Sequence, residues 1–187
     1  FIVQVIVVVI LISKYQNRTY YYEIMYGENI HNIVLSNIVV YNGYIFLAFM
    51  LPNIILYTIL AVKNGLGGYE NIGMLIILYG FILLRVVTRA VLITMIFRRI
   101  LPVFATLYMV FLGEQTMMSI IGAITNMSEK LIEFVLNFFI SRQLIMLYQP
   151  TEYTGTFIIT VIGSFLIEMV ILYALVWRSY RRKSFVN

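Results

Sequence analysis

The chain has 187 residues, of which 62% are hydrophobic, 16% aromatic and only 11% charged, with a mean hydropathy of +0.95. Soluble domains carry about 25% charged residues, so too little polar side chain is present to coat a soluble globule, and the chain reads as an integral membrane protein. The net charge of +5 comes mostly from the C-terminal residues, which suits an anionic membrane face and not nucleic acid.

Six apolar stretches follow in chain order. The first, Phe1 to Ser13, is shorter than the ~20 residues a helix needs to cross a bilayer, and is expected to be part of a span or a shallow anchor. From Lys14 to Asn32 the chain is polar and rich in tyrosine (Tyr15, Tyr20, Tyr21, Tyr22, Tyr26). With Lys14 and Arg18 beside them, these rings read as a membrane–water interface belt. The second stretch, Ile33 to Val62, exceeds the bilayer thickness and contains Pro52, so a kinked or tilted helix is expected. A glycine-rich loop, Lys63 to Glu70, ends it. The third stretch runs from Ile72 to Phe97. Arg98 and Arg99 then precede Pro102, which suits the first turn of a fourth helix reaching Ile124.

The fifth stretch, Leu131 to Tyr148, has a different pattern. Lys130, Glu133, Asn137 and Ser141 recur at helical spacing and form a polar stripe opposite Phe134, Leu136, Phe138, Phe139 and Ile145, so an interfacial amphipathic helix is expected. The sixth, Gly155 to Trp177, is a clear span. Trp177 and Tyr180 mark its interface, and residues 178–187 form a basic tail. If the fifth helix lies flat, Lys14/Arg18, Arg98/Arg99 and the tail share one side, as the positive-inside tendency prefers. The expected fold is thus all-α and polytopic, a single transmembrane domain with about 4–5 spans plus one interfacial helix. Gly73 and Gly80, and Gly155 and Gly163 with Ser164, are expected to allow close helix approach.

Three charges fall near the middles of spans: Arg85, Glu114 and Glu168. Each costs roughly 2.5–3.5 kcal/mol at the bilayer centre unless it meets a partner or water. Counting from a hairpin turn near Ile100 puts Arg85 and Glu114 at equal depth, so these two are expected to pair. Arg89 is one turn from Arg85 and is expected to reach Glu168 or to snorkel. Two readings stand. Arg85, Arg89, Glu114 and Glu168 form either a proton or ion path, or a neutralised group that fixes helix register.

Composition closes off most chemistry. With no cysteine and one histidine, His31, placed in the polar stretch, thiolate sites, bis-histidine haem and a multi-histidine metal site are excluded. No P-loop, dinucleotide fingerprint or nucleophile elbow occurs. No catalytic residue, metal ligand or cofactor bound by this chain is therefore expected. Structural lipids such as cardiolipin are expected against Arg178, Arg181, Arg182 and Lys183. Asn17-Arg18-Thr19 and Asn126-Met127-Ser128 match the glycosylation pattern by chance, since they would lie on opposite sides. The Ile, Phe, Tyr and Asn bias, with Phe1 opening the chain, is expected of an organelle-encoded subunit, or of an N-terminally truncated nuclear-encoded one.

Two local runs carry resemblances. Tyr41-Asn42-Gly43-Tyr44-Ile45-Phe46-Leu47-Ala48-Phe49 resembles the Tyr-x-Gly-x-Ile run in the third helix of NADH dehydrogenase subunit 6, which implies a helix irregularity near a proton path. Leu84-Arg85 with Arg89, and Leu166-Ile167-Glu168, resemble ATP synthase subunit a, which implies an arginine facing a rotor ring; Arg89 stands where that family has asparagine. Cytochrome b and cytochrome oxidase subunits 1 and 2 are excluded by the missing ligands. The resulting expectation is a non-catalytic subunit of a mitochondrial inner-membrane complex, of the respiratory chain or ATP synthase. It would be structural with a contribution to proton translocation, and partnered by other membrane subunits and lipids. The alternatives are a small self-contained transporter or channel, or a receptor fragment.

Overall fold

The computed structural model describes residues 2–17, 29–64, 72–123, 129–147 and 155–184. Every element among them is helical. They are α1 (Ile2–Gln16), α2 (Ile30–Ile45), a π turn (Phe46–Met50), α3 (Leu51–Asn64), α4 (Ile72–Phe97), α5 (Ile100–Ala123), α6 (Glu129–Leu136), α7 (Ile140–Leu147) and α8 (Gly155–Ser184). Four helical stretches are long and apolar enough to cross a membrane: Ile30–Leu60, Gly73–Phe97, Ile100–Ile121 and Gly155–Tyr180. The last three, of 25, 22 and 26 residues, reach or exceed the ~20 residues that a crossing needs. α1 is apolar but shorter, at 15 residues.

Helix ends follow local signals. Asn29 caps α2, its Oδ1 accepting from the His31 amide at 3.2 Å and its carbonyl from Asn32 and Ile33. His31 therefore sits in the first turn of a helix, not in a polar loop. α4 stops at Arg98, whose amide donates to the Thr94 carbonyl at 2.8 Å. Its φ of 55° is the left-handed C-cap conformation. Pro102 falls in the first turn of α5, where its missing N–H costs nothing.

The long second stretch is irregular where proline requires it. Pro52 has no N–H to return to the preceding turn, and the chain winds as a π turn over Phe46–Met50 just before it. Asn53 Nδ2 donates to the Phe49 carbonyl at 2.6 Å. Polar side chains elsewhere in the spans behave alike. Asn37, Thr94, Thr106, Thr116 and Ser119 each donate to a carbonyl one turn back on their own helix. That satisfies them where no water can.

The fifth stretch is corrected. It is two short helices, α6 and α7, broken at residues 137–139. Asn137 does not continue a solvated stripe: it is 2% exposed. The cause is Gln143, fully buried, which donates to the Asn137 carbonyl at 2.8 Å and to Ser164 Oγ at 3.0 Å. The glycine expectation is also corrected. A Cβ at Gly73, Gly155 or Gly163 would meet nothing, and at Gly80 only the flexible end of Met50. The basic tail continues α8 as helix through Ser184. The glycine-rich loop beyond Asn64, Tyr20, Tyr21, Tyr22, Tyr26, Arg18 and the second glycosylation pattern lie outside the described residues.

The chain divides into two compact units. One holds Phe1–Ile45, Arg85–Met109 and Ile167–Asn187; the other holds Phe46–Leu84 and Val110–Leu166. In the first unit, α4 is buried on all sides from Arg85 through Met95. α1 buries Val7, Val8, Leu11 and Ile12, and α2 buries Ile33, Val34, Ile38 and Tyr41, each along one face. Their other faces, with Ile2, Ile10, Val39 and Tyr44, are exposed and equally apolar, which fits lipid outside as well as protein inside. In the second unit, Met50, Leu78, Ile82, Phe157 and Val161 are core residues. Phe81 and Phe165 there meet edge to face with centroids 6.5 Å apart.

Candidate functional site: an intramembrane arginine–glutamate cluster

The first unit joins two of the mid-span charges. Arg85 lies twelve residues from either end of the Gly73–Phe97 span, and Glu168 lies thirteen and twelve from the ends of Gly155–Tyr180. Arg85 Nε donates to Glu168 Oε2 at 2.6 Å. Arg89, one turn on, donates through Nε to Oε1 and through Nη2 to Oε2 at 2.8 Å. Both carboxylate oxygens are thus engaged, and the two guanidiniums approach from successive turns of one helix. The arginine side chains are 9% and 8% exposed and the glutamate 19%. Charge-assisted bonds of this kind are about twice as strong as neutral ones, and in a buried place they offset the cost of desolvating three ions.

The expected partner of Arg89 is therefore present, and Arg85 turns to the same carboxylate. Depth counting gives the level of a residue but not the direction it faces, so it could not distinguish Glu168 from Glu114. Glu114 is buried in α5 and belongs to the other unit. Its pairing with Arg85 stays the expectation that depth suggests.

Further contacts set the direction of the helices around the cluster. The Arg98 guanidinium lies 4.1 Å over the Tyr180 ring. Arg85–Glu168 and Arg98–Tyr180 have nearly equal sequence offsets, so α4 and α8 run parallel through the first unit. His31 stacks on Trp177 with centroids 4.4 Å apart, and its Nδ1 is hydrogen-bonded to Tyr173 Oη. The start of α2, the end of α4 and the end of α8 therefore share one end of that unit. Arg98, Arg99 and the basic end of α8 lie together, the arrangement expected when the fifth stretch does not cross. Asn42 Nδ2 also donates to Thr88 Oγ1 at 3.3 Å, tying α2 to α4 one turn from Arg85 and next to Arg89.

Sequence reasoning missed the His31–Tyr173–Trp177 contact. The signal available was the i, i+4, i+7 spacing of Tyr173, Trp177 and Tyr180, which puts three rings on one face of α8. Among the described residues no group of acidic, histidine or cysteine side chains could hold a metal. Comparison with known protein families, curated proteins and solved structures returns no match.

Proposed function

We propose that this chain is a non-catalytic integral subunit of an energy-transducing complex of the mitochondrial inner membrane, in the respiratory chain or ATP synthase. The observation that carries the proposal is the mid-span convergence of Arg85 and Arg89 on Glu168. A membrane protein retains such an expensive group where it locks helices or serves charge movement. With both oxygens of Glu168 held by guanidiniums, locking is the role that the geometry favours. The π turn at Phe46–Met50 falls within and just beyond the Tyr41–Phe49 run, where the resemblance to NADH dehydrogenase subunit 6 implies an irregular helix. It supports that branch of the reading, although Pro52 is by itself a sufficient physical cause.

A second role, a contribution to proton translocation, is favoured by Glu114, a buried carboxylate and the single charged residue of the Ile100–Ile121 span. Native electrophoresis of the source membrane, with mass spectrometry of the band holding this chain, tests the proposal. Co-migration with NADH dehydrogenase or ATP synthase is expected. Migration of the chain alone would favour a self-contained transporter or channel. In the assembled complex, Glu114→Gln is expected to lower protons moved per turnover. An unchanged ratio would leave the subunit a scaffold only.

A further inference from the structure

The shared basic end of the first unit has the components of a lipid site, and we propose that Arg98 and Arg99, with the end of α8, bind the headgroup of an anionic phospholipid. This inference deepens the lipid expectation for the tail. It rests on the membrane-spanning reading alone and not on membership of any complex.

Arg98 occupies left-handed backbone at the C-cap of α4, a place that glycine takes without strain and arginine does not. What arginine adds there is its guanidinium, which lies over Tyr180 and ties the α4–α5 turn to the last turns of α8. Arg99 follows and is exposed, as is Arg178. Among the described residues neither of these two has an ion-pair partner. α8 continues as helix through Arg181, Arg182 and Lys183. The α4–α5 turn, with Arg98 and Arg99, and the end of α8, with Arg178, thus bring cations of two separate segments to one end.

The surface beside them is apolar. Phe97, Ile100 and Leu101, which flank the arginine pair in sequence, are 41%, 46% and 78% exposed. A free phosphate or a nucleotide would make no use of that surface. A phospholipid uses both parts: its phosphodiester meets planar guanidiniums in their preferred geometry, and its acyl chains cover Phe97, Ile100 and Leu101. Trp177 and Tyr180 are the amphipathic rings found at this depth.

Trp177 is the only tryptophan of the chain, one helical turn from Tyr180, and so reports on the site. The test uses the full chain in phosphatidylcholine vesicles with a small fraction of brominated phosphatidylglycerol or brominated phosphatidylcholine. The expected result is stronger quenching of Trp177 by the anionic lipid. Arg99→Gln should weaken that preference about fivefold, the loss expected of one basic residue at an anionic surface, and Arg99→Lys should keep most of it. Arg98→Gly suits the backbone and removes the guanidinium, so it should lower the preference while the chain stays folded. Equal quenching by the two lipids would overturn the proposal, and so would a preference unchanged in the Arg98→Gly/Arg99→Gln variant. Loss of the preference in millimolar inorganic phosphate would also overturn it, by assigning the site to a free anion. Failure of the chain to co-migrate with a larger complex would not alter any of these outcomes.

Discussion

Glu168 gathers three guanidinium hydrogen bonds at mid-span, and its removal would leave two arginines buried beside each other. Breaking a buried ion pair by deleting one partner costs about 3–5 kcal/mol, whereas replacing the whole group by apolar side chains of similar size is often neutral or better. Glu168→Leu is therefore expected to lower the stability of the chain by about 3–5 kcal/mol, read as a fall in thermal midpoint in detergent. The triple variant Arg85→Leu/Arg89→Leu/Glu168→Leu should recover most of that loss. If the triple variant is as unstable as the single, the cluster is not the unit that its geometry indicates. The part of this site visible in the sequence was the presence and depth of the charges, because a charge in a 20-residue apolar run stands out. Which carboxylate Arg85 faces was not visible, because that depends on the rotation of α4 and α8 about their axes.

At the scale of elements, the spans were legible for a simple reason. Apolar run length sets a membrane helix, and the Ile72–Phe97 expectation agrees with α4 at both ends. The irregular parts were less so. Lys130, Glu133, Asn137 and Ser141 keep helical spacing across a place where the helix breaks, since periodicity cannot register a tertiary hydrogen bond. The break between α6 and α7 depends on Gln143, whose amide joins the Asn137 carbonyl to Ser164 on α8. Gln143→Leu keeps the volume but leaves a buried carbonyl short of a donor, and should cost about 1–3 kcal/mol. Hydrogen exchange is expected to show faster opening of α7, with the first unit unaffected. Protection of α7 equal to that of the parent chain would show that the turn is held by something else. The π turn was legible only as a kink at Pro52, because a proline signals that the ladder is interrupted but not how the chain rewinds.

At the scale of the whole molecule, α4 and α8 run parallel through the first unit, which brings Arg85 and Arg89 to Glu168 and Arg98 to Tyr180. It also puts the cations of the α4–α5 turn and of the C-terminal helix at one membrane face, as the positive-inside tendency prefers. The chain has no cysteine, so it offers a clean background for cross-linking in native membranes. The direct measurement introduces cysteine pairs and treats the membranes with a short bismaleimide. Phe81→Cys with Phe165→Cys, and separately Arg98→Cys with Tyr180→Cys, should each cross-link in high yield, while Phe81→Cys with Tyr180→Cys should not. Efficient cross-linking of that last pair, with none in the first two, would mean that the helices run antiparallel, and the arginine–glutamate cluster at the centre of this account would not exist.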